Sequence, residues 1–228
     1  MLLFAGCGSD DDKQLTVYAA SSLTEVFQEL APQHRYNFAG SDELATQIRE
    51  GAEADVYAAA SPKYPEELRA EGLVDQPAVF ATNTLVLIVP KQNPKGVRRV
   101  EDLAAGRFKL VVGAEGVPVG DYTRTVLANL GLTRILDQVV SEEENVKGVL
   151  GKVALGEADA GFVYTTDAMT ADDKVLSISL PASAQADVRY PAALVSDSDQ
   201  EDEARAFIEL LLSEEGKRAL ERAGFGPP

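Results

Sequence analysis

The stretch "LTVYAASSLTEVFQEL", residues 15–30, holds a strand, a turn and the start of a helix. Leu15 to Ala20 is a short apolar run, the length of a buried strand. From Leu23 onward apolar residues recur at i, i+3, i+4 and i+7, as Leu23, Val26, Phe27 and Leu30, which predicts a helix. Ser21 and Ser22 sit at the junction. Serine is a favoured N-cap. A helix N-terminus also presents free N–H groups and partial positive charge, so the same turn suits an anion. One turn leaves both readings open.

Working outward, the pattern repeats. "RYNFAGS" (35–41) reads as a strand, followed by a helix carrying Leu44, Ala45 and Ile48 and stopped by Gly51. "ADVYAAA" (54–60) is a third strand, "PEELRAEGLV" (65–74) a short helix, and "NTLVLIVP" (83–90) one continuous apolar strand. A second series follows. "EDLAAG" is a helix, "FKLVVGA" a strand, and "GVPVGDYTRTVLANLGL" a Gly/Pro loop leading into a helix with Val126, Leu127 and Leu130 inward. "NVKGVLGKVALGE" is a helix with Val146, Val149, Leu150 and Val153 on one face. "ADAGFVYTT" and "YPAALV" are strands, and residues 201–225 form two helices broken near Ser213. Strands alternating with helices predict an α/β fold with mostly parallel sheets flanked by helices. "IREGAEADVYAAAS" (48–61) and "VALGEADAGFVYTTD" (153–167) echo each other, which suggests two lobes of like topology.

The chain has 228 residues, enough for two modest lobes with real cores. It carries 37 acidic and 21 basic side chains, a net charge of −16. That balance argues against nucleic acid or an anionic lipid surface as partner. It does not forbid a small anion held by local dipoles. No stretch approaches the roughly 20 apolar residues of a membrane span. A nucleophile elbow, a Gly-Lys-Ser/Thr phosphate loop and a histidine beside a nucleophile are all absent from the sequence, so no enzyme is expected. The sole histidine, His34 in "PQHRYN", is expected in solvent, as are the acidic runs "SEEEN" and "SDQEDE". The single cysteine excludes an internal disulfide.

In open α/β sheets ligands bind beyond the carboxyl ends of strands. The groups expected there are Ser21, Ser22, Gly40, Ser41, the backbone around Val119, the N–H of Val146 and Tyr164. All are hydroxyls or N–H groups, and none is a cation. Such a set suits a fully deprotonated tetrahedral oxyanion, which accepts many bonds and donates none. Here "VYAASSL", "YNFAGSDELATQIREGAEADVYAAAS", "VPVGDYT" and "GFVYTTDA" together resemble the periplasmic molybdate-binding proteins of ABC importers, in order and across residues 14–228. The resemblance implies a two-lobed type II periplasmic-binding-protein fold with a ligand cleft between lobes. It implies molybdate or tungstate as ligand, no cofactor, and no metal beyond that of the bound oxyanion. It implies binding by Ser22, Ser41, the N–H groups of Val119 and Val146, and Tyr164. A membrane permease would be the partner, and the protein a monomer at the periplasmic or outer face of the cell membrane.

Expected domains are residues 14–82 with 188–228 as one lobe and 83–187 as the other, with crossovers near 80–85 and 183–190. In "MLLFAGCGSDDDK" the run Ala5-Gly6-Cys7 resembles a lipoprotein lipobox, so residues 1–13 read as a signal remnant and tether, with Cys7 as lipidation site. Two departures from the family pattern stand out: Asp42 directly after Ser41, and Val119 where small residues are common. Asp42 suits the first turn of a helix; facing the ligand, it would accept a proton as phosphate carriers require. The alternatives are a sulfate or phosphate carrier of the same fold, or the ligand-sensing domain of a regulator. The latter would need a DNA-binding helical region, which residues 1–13 do not supply.

Overall fold

A computed structural model describes residues 14–228, and the Cys7 segment lies outside the described residues. The first series runs β1 (Thr16–Ala20), α1 (Thr24–Leu30), β2 (Arg35–Ala39), α2 (Ser41–Arg49), β3 (Val56–Ala58), α3 (Lys63–Ala70) and β4 (Ala78–Asn83). The second runs β5 (Leu85–Pro90), α4 (Asp102–Ala105), β6 (Leu110–Gly113), α5 (Pro118–Asn129), β7 (Val139–Glu143), α6 (Val146–Ala154), β8 (Ala160–Tyr164), α7 (Thr165–Met169) and β9 (Val175–Ser179). The chain closes with β10 (Val188–Leu194), α8 (Glu201–Leu212) and α9 (Glu214–Arg222).

Two five-stranded sheets result, in the orders β2-β1-β3-β10-β4 and β7-β6-β8-β5-β9. β1 is parallel to β2 and β3, and β6 to β7 and β8. β10 is antiparallel to both neighbours, and so is β5. Each sheet is therefore mixed, with four strands one way and one reversed. The reason is the path of the chain. β10 and β5 are the strands that follow a crossing from the other sheet, so they start at the seam where the others end. The apolar run expected as one strand over 83–90 is divided accordingly. Asn83 ends β4, Leu85 begins β5, and Thr84 alone makes the crossing.

The repeated sequence segment corresponds to a repeated structure. α2–β3 and α6–β8 occupy the same place in their sheets. Each helix ends in a glycine of positive φ, Gly51 at 85° and Gly156 at 74°, a conformation that suits glycine. Each following aspartate caps the neighbouring strand. Asp55 Oδ2 accepts from Thr16 N at 2.7 Å, and Asp159 Oδ2 accepts from Lys109 N at 2.8 Å. Leu23, Val26 and Phe27 are buried as their spacing predicts, as are Val146, Val149, Leu150 and Val153. Burying each such side chain stabilises the fold by roughly 1.5–3 kcal/mol. The C-terminal helices pack on the first sheet, where Phe207 meets Phe27 edge-on at 5.4 Å and Phe225 meets Tyr190 at 5.2 Å.

His34 is not in open solvent. It is half-buried, edge-on to Phe207 at 5.4 Å, and its Nδ1 accepts from Leu15 N at 3.3 Å. Burial lowers its pKa from the ordinary value. "SEEEN" is only partly in solvent, since Ser141 to Glu143 end β7 and Ser141 and Glu143 are half-buried.

Candidate functional site

The carboxyl ends of β1, β2, β3, β6 and β8 converge on the seam between the sheets. They surround a small cavity. Ala20, Ser21, Ser22, Gly40, Ser41 and Ala60 line it from one side, and Val117, Pro118, Val119, Asn145, Val146 and Tyr164 from the other. All five residues singled out in the sequence are on this wall. Among the described residues, no lysine or arginine is.

Local structure explains why each group points there. Ser22 lies in a 3₁₀ turn, Ser21–Leu23, wedged between β1 and α1. Ser41 is the first residue of α2, held from behind by Tyr57, whose hydroxyl donates to Ser41 O at 2.6 Å. Val119 follows Pro118 at the start of α5. Proline is pre-set for that position and has no N–H to strand. The first free donors of α5 are then Val119 and Gly120. α5 sits hard against β6: a Cβ on Gly120 would lie 2.2 Å from Ala114 O. That close approach fixes where the Val119 N–H points, while its side chain is buried on the Gly113 side. Val146 opens α6, with Asn145 as N-cap accepting from Gly148 N at 3.1 Å. The cap uses the third N–H and leaves that of Val146 for the cavity.

Tyr164 ends β8 and is 1% exposed. Its hydroxyl is buried with no hydrogen-bond partner among the described residues. Burial pushes its pKa well up, so it stays protonated and a donor. A buried hydroxyl without a partner is costly, so its place on the cavity wall points to a ligand.

The nearby charges face away. Lys147 Nζ binds Glu25 of α1 at 2.7 Å and lies 3.2 Å from Asp167 of α7. Arg124 donates to the carbonyls of Gly113 and Gly120 and pairs with Glu142. Asp42 is not on the cavity wall. It is half-buried along the seam, burial raises its pKa, and its Oδ1 has no partner among the described residues.

The sheets touch around the cavity. Tyr64 of α3 donates to Gly116 O at 2.5 Å, and a Cβ on Gly40 would lie 2.5 Å from Glu144 O. A larger hollow of about 340 Å³ opens at the other end of the first sheet. Its wall carries Arg35 and the carboxylates of Glu53, Asp55, Asp197 and Asp199, a charged lining unlike the hydroxyls and N–H groups of the small cavity.

Against known proteins, residues 15–226 match the profile of the bacterial extracellular solute-binding proteins. The chain belongs to that family. This solute-binding protein is a transport component and not an enzyme. It is 35% identical over 226 residues to the molybdate-binding protein ModA of Mycobacterium tuberculosis, covering 95% of this chain and 85% of that one. It is 30% identical over 239 residues to ModA of Escherichia coli, covering 97% and 92%. Among solved structures it superposes on the periplasmic molybdate-binding protein of Azotobacter vinelandii with a TM-score of 0.84 at 23% identity, covering 94% of this chain and all of that one. The last likeness establishes the two-lobed fold.

Sequence reasoning did not single out Asn145, Tyr190 or Asn83. Asn145 had a signal, because asparagine directly before a helix is a favoured cap. Tyr190 and Asn83 had none, since Tyr190 bonds Ser22 and Asn83 bonds Thr166, partners far away in the sequence.

Proposed function

We propose that this solute-binding protein captures molybdate, with tungstate as its near equivalent, between its two lobes and delivers it to the membrane permease of an ABC importer. The observation that carries this reading is a cavity lined from both sheets by Ser22, Ser41, the N–H groups of Val119 and Val146, and Tyr164, with no cationic side chain on its wall among the described residues. Its small size suits a small ion. Hydrogen bonds to a charged acceptor are roughly twice as strong as neutral ones. Uncharged donors can thus hold a dianion without the desolvation cost of a buried lysine or arginine. The molybdate-binding relatives support the choice of anion.

In this reading residues 14–82 with 188–228 form one lobe and 83–187 the other, hinged at Thr84 and at 183–190. The anion completes its shell only when both lobes touch it, so binding drives closure. Cys7 is the lipid attachment point, the protein acts as a monomer, and it works at the outer face of the cell membrane. A phosphate carrier is disfavoured because Asp42, the one candidate proton acceptor, is off the cavity wall.

Calorimetry with molybdate, tungstate, sulfate and phosphate at constant pH tests the assignment. Molybdate and tungstate are expected to bind most tightly, and a preference for sulfate or phosphate would overturn it. Small-angle scattering should show a smaller radius of gyration at saturating molybdate.

A further inference from the structure

We infer that Lys147 is a latch between the lobes: seated against the buried carboxylate of Asp167 in its own lobe, it grips Glu25 of the other lobe and slows release of the bound anion. The inference rests on the proposed closure of the lobes around the anion. It adds residues that do not line the cavity.

The latch joins two helix starts. Ser22 lies on the cavity wall, and Glu25 follows it in the first turn of α1. Val146 lies on the opposite wall and opens α6, with Lys147 next in sequence. Lys147 thus adjoins a wall residue of one lobe, and Glu25 stands one turn from a wall residue of the other. Lys147 Nζ donates to Glu25 Oε1 at 2.7 Å and to Glu25 Oε2 at 2.9 Å, so both carboxylate oxygens are engaged. A second lysine faces a carboxylate across the seam, but Lys63 Nζ stands 3.9 Å from Asp121 Oδ2, too wide for a hydrogen bond.

A lysine free in solvent samples many rotamers, and ordering it opposes the formation of an ion pair. Asp167 removes much of that freedom. Its side chain is fully buried in α7, and its Oδ1 lies 3.2 Å from Lys147 Nζ. Neither carboxylate oxygen has a hydrogen-bond partner among the described residues, which leaves the Lys147 ammonium as the compensating charge. α6 and α7 both pack on β8, so this contact survives when the lobes part. The contact with Glu25, made from the other lobe, does not. Lys147 is therefore held at the seam before Glu25 arrives, and the pair forms with little further ordering. It forms only after the lobes meet, so it acts on release of the anion and not on encounter.

Glu25→Gln separates the latch from a simple field effect. Removing a negative charge near the cavity should by Coulomb attraction alone tighten the binding of an anion. The latch gives the opposite sign. Molybdate should bind about two- to fivefold more weakly by calorimetry, the scale of one partly exposed ion pair. The loss should lie in a faster dissociation rate, read by stopped-flow tyrosine fluorescence, with the association rate unchanged. The melting temperature of the ligand-free protein should not move, because the latch is open when the lobes are apart. In the Lys147→Gln background Glu25→Gln should no longer weaken binding. If Lys147→Gln does not fold, Lys147→Gln combined with Asp167→Asn serves as the background, since no buried charge is then left unpaired. Binding to Glu25→Gln as tight as wild type or tighter overturns the latch, as does a weakening that persists without the lysine. A wild type whose radius of gyration does not contract at saturating molybdate overturns closure and latch together. Contraction in the wild type with unchanged affinity in Glu25→Gln overturns the latch alone. If sulfate binds more tightly than molybdate, the choice of anion fails, and the same measurements with sulfate decide the latch.

Discussion

At the scale of the residue, Tyr164 and Gly40 make opposite contributions. Tyr164 brings a hydroxyl that is buried and unpartnered without a ligand. Tyr164→Phe should weaken molybdate binding by about 1.5–3 kcal/mol, the value of a hydrogen bond to a charge. It should also leave the melting temperature of the ligand-free protein unchanged or raised, because it removes an unsatisfied buried group. Calorimetry and a thermal melt check both. Gly40 contributes by having no side chain. Its Cα faces Glu144 O so closely that a methyl group would fall 2.5 Å from that oxygen. Gly40→Ala leaves every donor in place yet obstructs the approach of the lobes. Binding should weaken by about 1–3 kcal/mol, the usual cost of overpacking. The scattering profile should contract less at saturation than that of the wild type.

At the scale of the element, the site is built from helix starts set at strand ends. α2, α5 and α6 all begin on the cavity wall, so their unpaired N–H groups and dipoles point inward. α6 depends on its cap. Asn145→Ala should destabilise the protein by about 0.5–2 kcal/mol and weaken anion binding as the first turn frays around Val146. Denaturant melts and calorimetry measure the two effects separately. These features were legible in the sequence because they are local: a serine, a Val-Pro or an asparagine ahead of a helical period. β4, β7 and β9 were not. All three are edge strands. An edge strand is paired on one side only and needs no continuous apolar run, and β7 and β9 show patchy burial accordingly.

At the scale of the whole molecule, the two sheets are linked across the seam by the Tyr64–Gly116 hydrogen bond and by Lys147, which binds Glu25 of α1. Lys147 also lies 3.2 Å from Asp167, which is 1% exposed. Burial outweighs this cation and pushes the Asp167 carboxyl up to about 6. A carboxyl raised in the folded state favours folding while it is protonated. Its contribution is complete below the ordinary aspartate range and is lost as pH rises through about 6. Asp167→Asn should therefore remove a decline in stability between about pH 4 and 6. Denaturant melts across that range, compared with wild type, give the measurement.

The amino-acid sequence by itself determined the alternation of strand and helix, the duplicated α–β unit, and the chemical character of the donors. Each depends on residues within one or two turns of one another, where periodicity, capping and turn chemistry act. Tertiary structure alone decided which strand runs reversed in each sheet, that Thr84 makes a crossing inside an unbroken apolar run, that Asp42 stays off the cavity wall, and that Tyr190 stands behind Ser22. Those outcomes depend on the path of the chain between two sheets. They follow from contacts between residues up to 168 positions apart, for which no local pattern exists.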